Sequence, residues 1–530
     1  MPHWPPLAAA TLKLLSRRRS GHFFRALHNP ADAQGRLLSN LVRASSRTQY
    51  GRTLGLEPDD GLEAFRAKVP LVTYDELAPW VDRQRSETAK AVLAEHVRCF
   101  ERTSGSTGAV KYIPYNTALL RAFQSMFLIW AYDLLTHVMR PRTGRIFASV
   151  SPGMHAGLGD DTAYLSKPLQ CLLQPFLVTP GRISNVLASA DARDVLAACV
   201  VCEPRLEIVS VWSPTYLRVL LDHVARHRER LLPELIKGRI NRGGRPFRFA
   251  PLSRERQALI TGNCDIPWPA LWPQLKLISC WDSASAAAPA AHLQQLFPDC
   301  CVQGKGLLAT EAPITVPLVQ AGGCVPLVDE VFLEFEDDAG NLYLSNELRS
   351  GDEYRLVISH KGGLLRYRLG DRIRVGQRLH ATPCLEFVGR EDQVSDLVGE
   401  KLNASFVENV LRDLLPDSSF RVLVPVRPHG RSEYYVLLCE TGRDGLDTQL
   451  DQQLCKAFHY NHARLLGQLE APHVVSATNM AALVLDYYAG RGMLWGDVKD
   501  RHLLIDPQEG ADLVSVIRGS QPRIRADCTG

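Results

Sequence analysis

Apolar positions along the chain change period several times, and each change marks an element. From the N-terminus to about Leu93 the pattern is mainly helical, interrupted at Pro70 to Asp75 before another amphipathic stretch. Leu119, Phe123, Met126, Phe127, Trp130 and Leu134 then recur at helical spacing along one face. Strand-type runs follow at 145–150, 206–212 and 275–281, separated by helical segments, one of them opened by Ser213 as N-cap and Pro214 in the first turn. Strands alternating with helices predict an α/β sheet with both faces covered.

Around Glu330 the texture shifts. Short alternating runs at 330–336, 342–345, 354–359, 364–367 and 371–375 are joined by turn-forming residues at 337–341 and 360–363, which predicts an antiparallel β subdomain. A second shift follows Gly389, where strands at 420–426 and 433–438 flank residues 428–431 and a helix is expected over 447–466. The fold class is therefore α/β: a large N-terminal domain of α/β sheets with an antiparallel β subdomain (1–388) and a small α+β C-terminal domain (389–530). The tail beyond about Pro507 reads as weakly ordered polar sequence.

Length and composition narrow the class. The chain has 530 residues, more than one hydrophobic core normally supports. Its 61 basic and 57 acidic residues nearly balance, and no long basic run is interleaved with aromatics, so nothing marks a nucleic-acid surface. The 13 cysteines are scattered apart from Cys199/Cys202 and Cys300/Cys301, which reads as buried free thiols in a reduced, cytoplasmic compartment. No run reaches the ~18 apolar residues of a membrane span; the most apolar candidate, 122–132, is bounded by Arg121 and Asp133. The basic N-terminus, with Lys13 and Arg17 to Arg19, has the look of a transit peptide, but Leu12, Leu14, Leu15, Phe23 and Phe24 equally suit an apolar stripe docked on the domain.

The candidate chemistry centres on Thr103, Ser104, Gly105, Ser106, Thr107, Gly108 and Lys111. Hydroxyls and glycines with a lysine three residues on suit a polyphosphate. The spacing is neither that of a Walker loop nor that of a hydrolase elbow, and it matches the phosphate loop of enzymes that adenylate carboxylic acids. Four further stretches agree with it. Thr310 and Glu311 set a hydroxyl beside a carboxylate suited to Mg²⁺. Asp371, expected in a tight turn, suits the ribose hydroxyls. Arg390 is placed to reach the nucleotide, with Glu391 and Asp392 as a hinge. Lys401 follows that hinge, and Lys499 lies near the end of the small domain.

Taken with the motifs at Arg47 to Gly51, Val69 to Tyr74, Val211 to Thr215 and Leu364 to Asp371, these segments stand in the order of the Gretchen-Hagen type acyl acid amido synthetases, which the sequence resembles from about Arg47 to Leu504. That family lies within the acyl-adenylate-forming superfamily. The resemblance implies a ligase that uses ATP and Mg²⁺ to adenylate a carboxylic acid and then passes the acyl group to an amino acid amine. It also implies that the C-terminal domain is mobile, that the protein is a monomer, and that Lys499 or its rival Lys401 bridges carboxylate and α-phosphate. Phe127 and Trp130 are the candidates for the wall of the acid pocket. Two departures stand out. Ala309-Thr310-Glu311 replaces the family's doubled serine, and Gly389 to Asp392 is closer to thioester-forming branches, so an acyl-CoA ligase is the alternative, with an inactive nucleotide-binding protein second.

Overall fold

The computed structural model describes residues 4–86, 90–93, 95–103, 111–148, 167–178, 192–242, 245–262, 265–390, 393–428, 432–493, 496 and 498–520. The phosphate-loop residues Ser104 to Gly108 and the hinge residues Glu391 and Asp392 lie outside the described residues.

Five helices open the chain: α1 (Trp4–Ala26), α2 (Pro30–Ser45), α3 (Gln49–Thr53), α4 (Leu62–Lys68) and α5 (Tyr74–Ser86). Helix α1 docks along α6 (Thr117–His137), burying Leu12 and Phe23. Leu14 and Leu15, expected in the same stripe, are exposed: at 100° per residue Leu14 turns to the side opposite Leu12, while Leu15 falls about 60° from Leu12, at the margin of the docked face. Strands β1 (Val97–Thr103) and β2 (Lys111–Asn116) form an antiparallel hairpin ahead of α6. Arg121 and Asp133 fall inside α6, so their presence does not shorten the apolar run as the sequence suggested, and this helix is long and apolar enough to cross a bilayer. It packs within the protein instead. Buried Asp133 accepts from the Val319 N–H at 2.6 Å, which ties α6 to the loop beyond the parallel sheet.

That sheet has strand order β3-β4-β7-β8 and is parallel throughout, with β3 (Arg145–Ala148), β4 (Leu206–Ser210), β7 (Leu277–Cys280) and β8 (Cys301–Gly304). Helices α7 (Lys167–Leu173), α8 (Ala192–Val201), α9 (Pro214–Arg226), α10 (Arg228–Lys237), α11 (Arg254–Thr261), α12 (Trp268–Leu271) and α13 (Ala287–Leu296) accompany it, with the hairpin β5 (Arg239–Arg242) and β6 (Arg245–Arg248) inserted. Cys199, Cys202 and Cys300 are buried free thiols within and around its core, while Cys301 is half-buried.

After the paired strands β9 (Thr315–Leu318) and β10 (Gly323–Pro326) comes an antiparallel sheet of order β12-β11-β13-β14-β15: β11 (Phe332–Glu336), β12 (Leu342–Tyr343), β13 (Glu353–Ser359), β14 (Tyr367–Leu379) and β15 (Thr382–Arg390). The sequence placed Asp371 in a tight turn; it lies instead inside β14. Gly370, at φ 83°, forms a bulge there, shifting the register between Arg355 and Val357 and keeping the strand continuous past the irregularity.

Strands β16 (Val394–Ser395) and β17 (Leu402–Asn403) lead to α14 (Ala404–Leu414) and to a sheet of β18 (Arg421–Val426), β19 (Tyr434–Cys439) and β20 (His473–Ser476). The single helix expected over 447–466 is two, α15 (Leu446–Leu454) and α16 (Phe458–Leu465); the chain changes direction between them at Cys455 to Ala457. Helix α17 (Met480–Gly490) follows. The tail after Pro507 is also structured: α18 (Pro507–Ser520) buries Leu513, Val514 and Ile517 against β18, an apolar spacing that its polar composition masks.

The Arg47 to Gly51 motif has a steric origin. Thr48 caps α3 by accepting from the Gly51 N–H at 3.0 Å, and a Cβ on Gly51 would stand 2.0 Å from the Ser45 carbonyl oxygen. Gly51→Ala should therefore lower unfolding stability by about 2 kcal/mol, the usual size of an overpacking defect. Urea denaturation checks this, and an unchanged midpoint would show that the α2–α3 corner yields freely.

Candidate active site

The hairpin presents the phosphate-loop segment between paired residues Thr103 and Lys111, so the two ends of the loop are held side by side. Its base is fixed by Tyr74, whose hydroxyl accepts from the Tyr112 N–H at 2.7 Å and donates to the Tyr112 carbonyl at 3.3 Å. The same ring lies 5.7 Å from the Lys111 ammonium. Just before Tyr74, Val72 forms a bridge to Tyr367: its N–H donates to the Arg366 carbonyl, and its own carbonyl accepts from the Arg368 N–H. The motif at Val69 to Tyr74 thus joins the hairpin to strand β14, a job that its sequence alone did not disclose.

Thr310 and Glu311 occupy a turn closed by the Ala309 N–H donating to the Ala312 carbonyl. Tyr115, stacked on Phe123, donates its hydroxyl to the Thr310 carbonyl at 2.5 Å and so sets this turn against β2. Glu311 is buried. Burial raises its pKa and the nearby Asp371 adds to the rise, while its own backbone N–H, Arg390 and Lys111 oppose it. Asp371 is paired across the sheet with Arg390, whose Nε stands 2.7 Å from Oδ1. The neighbouring Asp371 charge is the main cause holding the Arg390 pKa above its ordinary value. Tyr367 is buried in the same cluster, with burial and Glu311 keeping its hydroxyl protonated.

Lys499 completes the cluster from the C-terminal unit. The residue as a whole is exposed, although protein atoms crowd its ammonium. Its pKa is lowered, first by that crowding and then by Arg390, against the pull of Asp371 and Glu311. Lys401 is placed differently. It is exposed at φ 46° in the link between β16 and β17, where Glu400 accepts from the Leu397 and Val398 N–H groups and from the Tyr435 hydroxyl.

The sequence pictured α6 as leaving the loop directly. Strand β2 intervenes, so the helix begins about 20 Å of extended chain beyond Lys111. Phe127 is half-buried against Leu12, Ala131 and Leu169. Trp130, its ring 6.0 Å from that of Phe127, donates its indole N–H to Gln303 on β8 at 2.8 Å. Two small recesses lie at the junction, one lined by Ser285, Arg421, Asp500 and His502 and the other by Thr215, Val484, Lys499 and Asp500.

A parallel α/β sheet, an antiparallel sheet and a C-terminal unit that brings a lysine into the cleft between them together form the fold of ligases that work through acyl adenylates. The chain matches a GH3.15 acyl acid amido synthetase with TM-score 0.76 at 19% identity, over 96% of both chains. It matches 2-hydroxyisobutyryl-CoA ligase in its postadenylation state with TM-score 0.56 at 15% identity, over 92% of both. The model of the GH3 family N-terminal domain covers residues 19–302 and that of the central domain 325–390, so the chain belongs to the GH3 family. A curated relative, the indole-3-acetic acid-amido synthetase GH3.8 of Oryza sativa subsp. indica, is 24% identical over 470 residues, 77% of this chain and 73% of that protein.

The Asp371–Arg390 pair has a measurable signature. The Arg390 side chain keeps 31% exposure, so solvent screens the pair, and a double-mutant cycle with Asp371→Asn and Arg390→Gln should give a coupling of about 1 kcal/mol in urea unfolding. A coupling indistinguishable from zero would mean that the pair orders the site without stabilising the fold.

Proposed function

We propose that this protein adenylates a small, largely apolar carboxylic acid with ATP and transfers the acyl group to the amine of an amino acid. The observation that carries this reading is the convergence of Lys111, Glu311, Asp371, Arg390 and Lys499 from five separate stretches of a GH3-family chain. The acid's carboxylate attacks the α-phosphorus, pyrophosphate leaves, and the amine then displaces AMP to form the amide. The first step brings two anions together, so charge neutralisation matters more than proton transfer.

In this reading the 103–111 segment with Lys111 cradles the phosphates, Asp371 accepts the ribose hydroxyls, and Arg390 both orients Asp371 and faces the nucleotide. Lys499 bridges carboxylate and α-phosphate. Glu311 suits a hard divalent cation, being a buried carboxylate whose ionised form is disfavoured by its surroundings. Among the described residues no three His, Cys, Asp or Glu side chains cluster as a metal site, so Glu311 would share Mg²⁺ with phosphate and water oxygens. When bound, Mg²⁺ neutralises charge on the departing pyrophosphate. Phe127 and Trp130, with Leu169 of α7, form the wall offered to the acid. The unpaired cysteines among the described residues suit a reducing cytoplasm, and we take the working unit to be a monomer.

Pyrophosphate exchange against a panel of carboxylic acids, followed by mass analysis of products formed with mixed amino acids and CoA, tests the reading. An acyl-CoA product without amide would replace amine transfer by thioester formation. Glu311→Ala should fold normally and lose about two orders of magnitude in exchange, the effect of removing a charge contact of ~3 kcal/mol. Near-normal exchange would remove Glu311 from the site. Lys499→Ala should slow adenylation more than the use of a supplied acyl adenylate, whereas Lys401→Ala should slow neither. The reverse pattern would assign the bridging role to Lys401. Trp130→Phe, which deletes the bond to Gln303, should alter which acids are accepted; an unchanged acid profile with a lower melting temperature would make Trp130 a packing residue only.

A further inference from the structure

Lys499 and Asp500 are adjacent in sequence, yet their side chains meet different parts of the molecule. Lys499 has Arg390, Asp371, Arg501 and Glu311 as its charged neighbours, whereas the Asp500 carboxylate accepts from the Ser213 hydroxyl at 2.8 Å. Ser213 is the N-cap of α9, and its oxygen also accepts from the Tyr216 N–H at 3.2 Å. Asp500 therefore sits at the positive end of a 13-residue helix. The buried Thr215 hydroxyl, which meets no partner at hydrogen-bond geometry among the described residues, stands near the same carboxylate. From a third element, Ser285 donates its hydroxyl to the Asp500 backbone carbonyl at 2.5 Å. Burial pushes the Asp500 carboxyl up to about 6, a desolvation that the hydroxyls of Thr215 and Ser213 partly offset.

These partners all belong to the parallel-sheet unit, while Asp500 belongs to the C-terminal unit. We infer that Asp500 is a positioning residue for Lys499: anchored to α9 through Ser213 and to the Ser285 turn, it fixes the adjoining lysine with its ammonium in the Arg390–Asp371–Glu311 cluster. The inference rests on the bridging role proposed above for Lys499. Its physical basis is short. Neighbouring Cα atoms are about 3.8 Å apart, so tying down one residue confines the next. Successive side chains of non-helical, extended chain diverge, so an anchor on one side aims its neighbour toward the other. Without the anchor, a cation repelled by Arg390 would relax toward solvent.

The test compares Asp500→Ala, Asp500→Asn, Lys499→Ala and the double variant Lys499→Ala/Asp500→Ala in the full-length protein, in both half-reactions. Asp500→Ala should lower pyrophosphate exchange by about tenfold or more, the effect of losing a hydrogen bond to a charged group. It should change amide formation from a supplied acyl adenylate by less than about twofold. Asp500→Asn retains an oxygen that accepts from Ser213 and should recover most of the exchange. Because Asp500 acts through Lys499, the double variant should be no slower in exchange than Lys499→Ala alone. If Asp500→Ala slows both half-reactions equally, slows neither, or multiplies with Lys499→Ala, the positioning role is wrong. If Lys499→Ala itself leaves exchange intact, the bridging assignment fails and this inference fails with it.

Discussion

The ion pair between Asp371 and Arg390 is the contact on which the electrostatics of the cleft depend. It spans two adjacent strands in one register, and the bulge at Gly370 gives β14 the local twist that brings the carboxylate to it. Three cations, Lys111, Arg390 and Lys499, gather around two carboxylates, Glu311 and Asp371. Arg390 raises the cost of a charged Lys499 nearby and lowers that of a charged Glu311, while Asp371 does the opposite to each. Removing either member of the pair would therefore leave the other acting uncompensated on both.

The placement of Lys499 depends on how the C-terminal unit docks. Arg218 on α9 makes a two-pronged pair with Glu440 at 2.6 and 2.7 Å and also donates to Ser419. Arg193 on α8 pairs with Asp486 on α17. A charge pair taken out of water gains little net stability, because desolvation offsets most of the attraction, but it tolerates few geometries. Apolar contact across the junction also exists, with Val219 packed among Val422, Val424 and their neighbours. A junction held largely by polar groups is specific in orientation yet can exchange its partners for water at modest cost, unlike the apolar cores on either side of it.

Much of the architecture was legible because period and turn chemistry are local. The alternation of strands and helices gave the parallel sheet, and Ser213-Pro214 marked the start of α9. What failed depended on tertiary contact. The chain near Asp371 looks like a turn because Gly370 is there, yet pairing on both sides makes it a bulged strand. Helix α18 is polar by composition, and only its fit on β18 reveals the apolar face. The charged residues of the cleft could be named from their motifs. Tyr74 and Tyr367 could not be given their structural parts, since both lie in ordinary apolar runs and act through hydrogen bonds and packing to distant segments. Asp500 carried no signal at all, being one charge among several in a short polar stretch.

Glu311 and Lys499 are both shifted toward their uncharged forms. Burial raises Glu311 and lowers Lys499, so desolvation opposes ionisation of a carboxylate and of an ammonium in the same cleft. A pair of structural charges would relieve this by closing on each other, as Asp371 and Arg390 do. Among the described residues Glu311 and Lys499 form no such salt bridge; the Thr310–Glu311 turn is anchored by Tyr115 and the Lys499–Asp500 stretch by Ser213. Two opposite charges kept desolvated and separate favour a ligand that offers each its complement. In the function proposed above, a nucleoside triphosphate with a divalent cation would do so, its phosphate oxygens answering the ammonium and the cation the carboxylate.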